Sequence, residues 1–132
     1  MISATAGNGY ALDAAGGDSR IRTMVLLTVA SDPEGPGKQF LTTSGKPVFA
    51  VASTEDVNYN RGSLADVTRR AYLLSNSHES EFMLYDDAGR GSEMFKSKPE
   101  LPRMVLRWFV DKLDAASKPA PDATLKSERT SR

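Results

Sequence analysis

Two continuous apolar runs, Met24-Val25-Leu26-Leu27-Thr28-Val29-Ala30 and Pro47-Val48-Phe49-Ala50-Val51-Ala52-Ser53, constrain the fold of this chain more than anything else in it. A strand with one wet face alternates apolar and polar residues. A strand that runs apolar without interruption must be covered on both faces, and parallel sheets sandwiched between helices do this. Pro47 stands first in its run, where the missing ladder donor costs little. Neither run approaches the roughly 20 apolar residues of a membrane-spanning helix.

The segments between and around these runs read as helices and one more strand. Residues 81–85, Glu-Phe-Met-Leu-Tyr, make a third short strand. Residues 63–74 place Leu64, Val67, Ala71 and Leu74 at helical spacing, with Ser63 as N-cap and Asp66 three positions on. From residue 99 to 114, Leu101, Met104, Val105, Trp108, Phe109 and Leu113 form one stripe, and Lys98, Arg103, Arg107, Asp111 and Lys112 lie largely outside it. That pattern predicts an amphipathic helix anchored on a sheet by Trp108 and Phe109. Residues 6–15 suit a short helix stopped by Gly16-Gly17. Residues 31–46 carry Pro33, Gly35, Pro36 and Gly37, and read as a mostly irregular crossover with at most one helical turn at Gln39-Phe40-Leu41. The order helix, strand, crossover, strand, helix, strand, helix predicts an α/β fold: one domain over residues 1–117 with a small, mostly parallel sheet and flanking helices. Residues 118–132 are polar and Pro-containing, and predict a disordered tail.

Lys plus Arg and Asp plus Glu both total 17, spread along the chain, so no electrostatic footprint for nucleic acid exists. The absence of Cys removes a disulfide framework, a thiolate nucleophile and any Cys-based zinc site. The N-terminus lacks the basic and apolar regions of a secretory signal. The expectation is a cytoplasmic chain with no membrane segment, metal or cofactor.

In open parallel sheets, binding and catalytic groups gather just beyond the carboxyl ends of the strands. Two loops qualify: Thr54-Glu55-Asp56-Val57-Asn58, and residues 86–92. The stretch from Lys46-Pro47-Val48-Phe49-Ala50-Val51-Ala52-Ser53-Thr54-Glu55-Asp56 to Ala88-Gly89-Arg90-Gly91-Ser92-Glu93-Met94-Phe95, Pro99-Glu100-Leu101 and Trp108-Phe109 resembles the C-terminal half of dienelactone-hydrolase-like α/β-hydrolases, over about half of the chain. The resemblance implies a partial α/β-hydrolase fold and a Ser-acid-His triad in that chain order, the Ser on a Gly-x-Ser-x-Gly elbow between a strand and a helix.

Carried over by position, Asp56 takes the place of the acid, with Glu55 as second choice, and Arg90 takes the place of the His. Ser3-Ala4-Thr5-Ala6-Gly7 takes the place of the elbow: Gly7 keeps the second glycine, Ser3 replaces the first, and Thr5 stands at the nucleophile. The strand feeding the elbow is expected to be missing. Arg90 stays protonated at any ordinary pH and cannot act as a base. The resemblance therefore implies a truncated ester- or dienelactone-hydrolase relative with a degenerate triad, a small ester-like ligand and weak or lost activity. The alternative is a non-catalytic interaction or assembly module whose exposed sheet edge pairs with a second copy, as a homo-oligomer, or with another chain.

Other conspicuous residues have plainer readings. His78, the only His, precedes the third strand at its amino end and reads as a solvated loop residue. Gly7-Asn8-Gly9 lacks the Gly-Lys-Ser/Thr ending of a phosphate loop. Met83, Met94 and Met104 read as core filling.

Overall fold

The apolar runs become the two central strands of a four-stranded sheet. The computed structural model describes residues 1–5, 7–55, 57–58 and 62–117. The expected tail, 118–132, lies outside the described residues. In chain order the elements are β1 (Ile2–Thr5), α1 (Asn8–Gly16), β2 (Met24–Val29), α2 (Lys38–Thr43), β3 (Val48–Ser53), β4 (Val57–Asn58), β5 (Gly62–Ser63), α3 (Leu64–Leu74), β6 (Glu81–Tyr85), a 3₁₀ turn (Gly91–Glu93), α4 (Met94–Ser97) and α5 (Glu100–Ser117). The main sheet has the order β1-β2-β3-β6, with each adjacent pair parallel. The two-residue strands β4 and β5 pair antiparallel by themselves.

Every residue of β2 and β3 is buried, as their unbroken apolar sequence demands. One face, carrying Met24, Leu26, Val48 and Ala50, packs on Leu12 of α1, Phe40 and Leu41 of α2, and Leu64, Val67 and Ala71 of α3. The other, carrying Val25, Leu27, Phe49 and Val51, packs on Met94 of α4 and Leu101, Val105 and Trp108 of α5. The strand order steps in one direction, so the three crossover helices share a face, as crossovers of one hand require. The last helix is left to cover the opposite face.

Two local expectations differ from the structure. Four residues at the N-terminus form β1, which pairs with β2 through Ile2↔Val25, Ser3↔Leu26 and Ala4↔Leu27. The strand feeding the turn at Thr5 is thus present, where the sequence reading expected none. Its small residues Ser3, Ala4 and Thr5 carry little apolar pattern, and pairing with the strongly apolar β2 makes the strand. The crossover also holds a longer helix than one turn: α2 runs six residues, starting after Gly37. The α3 cap matches its pattern, with the Ser63 hydroxyl accepting the Asp66 amide at 3.3 Å.

Candidate functional site

The carboxyl ends of β1, β2, β3 and β6 converge on a layer of polar groups organised by an irregularity in β2. Ala4 pairs with Leu27 but Thr5 pairs with Val29, so Thr28 is an extra residue in its strand. It has the left-handed φ of 55°, which is costly for a β-branched side chain. A bulge of this kind frees backbone groups from the ladder and re-aims a side chain. Here the freed groups find new partners. The Thr28 carbonyl accepts the Asn8 side-chain amide at 3.1 Å, and its hydroxyl accepts the Gly91 amide at 3.0 Å. The next amide, of Val29, donates to the buried Thr68 hydroxyl at 2.8 Å. One bulge therefore ties α1, α3 and the loop after β6 to the end of β2.

Thr5 ends β1 and also has φ 55°; α1 begins at Asn8, with Gly7 as its N-cap. The structure thus places Thr5 on a strained strand-to-helix turn at the carboxyl end of a parallel strand. Ser3 donates to the Asn8 side-chain oxygen across the base of this turn, and Asn8 is fully buried. The loop after β6 comes directly against it. Gly91 has φ 58°, and a Cβ there would lie 3.1 Å from the Thr5 methyl and 3.5 Å from the Ala4 Cβ. Only a residue without a side chain fits this approach comfortably.

The same loop is held from its other side by Glu55. Its carboxylate accepts the Asp87 and Gly89 amides, each at 2.8 Å, as well as the Ser53 hydroxyl, and Ser53 in turn accepts the Ala88 amide at 2.8 Å. Thr54 adds a side-chain bond to Asp86 at 3.0 Å. The Ser53 hydroxyl, followed by the backbone amides, pulls the Glu55 carboxyl from the usual 4.5 down to about 2. A carboxylate this stabilised in its charged form is a clamp and a poor base. Arg90 itself is exposed; its amide donates to the Glu93 carboxylate at 2.9 Å, starting the 3₁₀ turn.

Of the residues singled out by sequence, Thr5 and the Arg90 loop are brought together through the Thr5–Gly91 contact. Asp56, the favoured acid, lies outside the described residues. Glu55, the second choice, is the carboxylate that engages the loop. His78 is exposed in the turn preceding β6, at the other end of the strands. Sequence reasoning missed Asn8 and Thr28. For Thr28 the signal available was a small polar side chain set in an apolar run, which must find a buried partner; Asn8, between Gly7 and Gly9, carries no such signal.

The depressed Glu55 pKa has a sign that can be tested. Its contribution to stability is complete above about 4.5 and is lost as pH falls through about 2. Solvent screening of this exposed group limits the contribution to about 1 kcal/mol. Glu55→Gln should lower stability near neutrality by that amount and flatten the fall in urea midpoint between pH 4.5 and 2. A variant with the same acid profile as the parent would mean that the clamp does not form.

Among the described residues, no His, Cys, Asp or Glu cluster is arranged to hold a metal ion, and no helix is long and apolar enough to cross a membrane. No protein-family model, no curated protein and no solved structure matches the chain.

Proposed function

We propose that this protein is a relative of the ester- and dienelactone-type α/β-hydrolases, with an acyl site that has lost its base and retains little or no turnover. The observation that carries the reading is Thr5: a left-handed residue on the turn from a parallel strand into a helix, in contact with Gly91 of the loop that bears Arg90. Serine hydrolases of this class hold their nucleophile on such a turn so that its oxygen stands clear of the sheet. Glu55, after β3, holds the loop after β6 whose Gly91 lies against Thr5.

The chemistry that remains is limited by proton transfer. A Thr hydroxyl needs a neighbouring base to attack an ester, and its extra methyl crowds a sharp turn. The guanidinium of Arg90 cannot take a proton, and Glu55 is committed to three donors. A small ester-like ligand could still settle against the Thr5 turn and be held without being cleaved.

The purified chain should hydrolyse p-nitrophenyl acetate no faster than the buffer blank, and Arg90→His alone should not change that, because Thr5 remains a hindered nucleophile. Thr5→Ser combined with Arg90→His should acquire slow, stoichiometric labelling by a fluorophosphonate, seen as an adduct in the intact mass and mapped to position 5. Absence of that adduct in a folded double variant would sink the elbow reading. Robust turnover by the parent chain, lost in Thr5→Ala, would instead overturn the claim of lost activity.

A further inference from the structure

A groove of about 210 Å³ runs between β6 and α5, well away from the Thr5 turn. β2 and β3 separate β6 from β1, and Glu81, which lines the groove, is the first residue of β6, whereas Thr5 is the last of β1. Strand alternation puts Glu81, Met83 and Tyr85 on one face of β6. Met83 and Tyr85 pack with the cluster that α5 covers, so Glu81 is directed to the same side. Met104, Arg107, Trp108 and Asp111 follow one another at helical spacings of three and four and form the facing stripe of α5.

Floor and rim of the groove differ in chemistry. The floor holds Phe49 and Trp108, stacked with centroids 5.3 Å apart, and the half-buried thioethers of Met83 and Met104. Aromatic edges and thioether sulfurs both favour a further aromatic ring as their neighbour. Sites for drug-sized ligands run to about 300–1,000 Å³, so this smaller groove suits a single ring with a short polar head.

The rim carries three exposed charges, the carboxylates of Glu81 and Asp111 and the guanidinium of Arg107. Among the described residues none of the three joins an ion pair. Arg107 and Asp111 stand one turn apart on α5, but cation before anion is the weaker order for a helical pair. The next cation along α5, Lys112, is turned to Glu79 at 3.5 Å and lies 4.6 Å over the Trp108 ring. Two carboxylates thus share the groove without a cation between them, and Arg107 presents a fork of donors without a carboxylate upon it. Side chains one helical turn apart start about 5–6 Å from each other at Cβ, so an ammonium and a carboxylate borne on one carbon reach both Asp111 and Arg107 together.

We propose that the groove between β6 and α5 is a binding site for a free aromatic α-amino acid. The ring settles against Trp108, Met83 and Met104, the ammonium lies between Glu81 and Asp111, and the carboxylate takes the fork of Arg107. A zwitterion answers all three rim charges. An aromatic amine leaves Arg107 without a partner, and an aromatic acid leaves the two carboxylates facing each other. The site does not depend on acyl chemistry at Thr5.

Titration of the 132-residue chain with L-phenylalanine, followed by NMR of isotope-labelled methionine methyls, tests it. Saturable shifts of the Met83 and Met104 methyls are expected, with a Kd of about 0.1–1 mM, while those of the fully buried Met24 and Met94 stay in place. L-Alanine, which lacks the ring, should give no shift. Phenethylamine and phenylpropionate, each with one of the two charges, should bind about tenfold more weakly or worse. Arg107→Gln should weaken L-phenylalanine about tenfold without weakening phenethylamine, and Asp111→Asn should weaken L-phenylalanine without weakening phenylpropionate. Both residues are exposed, so the thermal melts of these variants should match the parent's. A parent chain with no saturable shift overturns the proposal. So does phenethylamine binding as tightly as L-phenylalanine, or L-phenylalanine binding that is indifferent to both substitutions.

Discussion

Gly91→Val is expected to destabilise the fold by about 3 kcal/mol or more, from two separable causes. The first is conformational: a left-handed φ of 58° costs an ordinary residue about 1–2 kcal/mol, and a β-branched residue more. The second is steric, since the new Cβ would stand 3.1 Å from the Thr5 methyl while the Gly91 amide stays bonded to Thr28. A double-mutant cycle divides them. Gly91→Ala alone carries both penalties in reduced form; paired with Thr5→Ser, which deletes the methyl and keeps the hydroxyl, it carries only the first. Coupling of about 1 kcal/mol by urea denaturation would show that the loop after β6 rests on the Thr5 turn. Strict additivity would mean that the two segments stand apart, and the acyl-site reading would lose its geometric basis.

The elements legible in the sequence are those whose pattern is set by burial on the sheet. β3 begins one residue after Pro47, β6 is found at residues 81–85 as read, and the Ser63 cap and α3 follow from local spacing. What escaped depends on contacts distant in sequence. β1 owes its strand to β2, and the bulge at Thr28 owes its left-handed φ to three partners, Asn8, Gly91 and the displaced Val29 ladder. No periodicity within residues 24–30 marks Thr28 as the residue that drops out of register; Val29 is buried all the same, on the face with Leu26 that α1, α2 and α3 cover. The role of Glu55 had the same obstacle. The Glu55 carboxylate engages amides more than thirty residues away in the chain, and no local pattern encodes such a contact. Here the amides of Asp87 and Gly89 converge on Glu55 because Asp87 and Gly89 both have positive φ, 53° and 88°.

Trp108→Ala is expected to have the largest effect on stability of any single truncation considered, about 3–5 kcal/mol. The indole is buried, and its ring stacks on Phe49 of β3 with centroids 5.3 Å apart. Its ring nitrogen donates to the Thr23 hydroxyl at 2.9 Å, and that hydroxyl donates to the Pro47 carbonyl at 2.6 Å. One side chain of α5 thereby joins the residues that lead into β2 and β3, and Lys112 lies 4.6 Å over the ring from the solvent side. Because α5 supplies most of the cover for its face of the sheet, the cavity left by alanine cannot be closed by a neighbouring helix. Trp108→Phe keeps an aromatic ring against Phe49 and loses the hydrogen bond, so it should cost only about 1–2 kcal/mol. A domain of ordinary stability, about 5–15 kcal/mol, would retain its fold with phenylalanine and become marginal with alanine. Far-UV circular dichroism during urea denaturation measures both. If alanine costs no more than phenylalanine, packing on Phe49 is not what secures α5, and the hydrogen-bonded relay through Thr23 to Pro47 carries the anchoring instead.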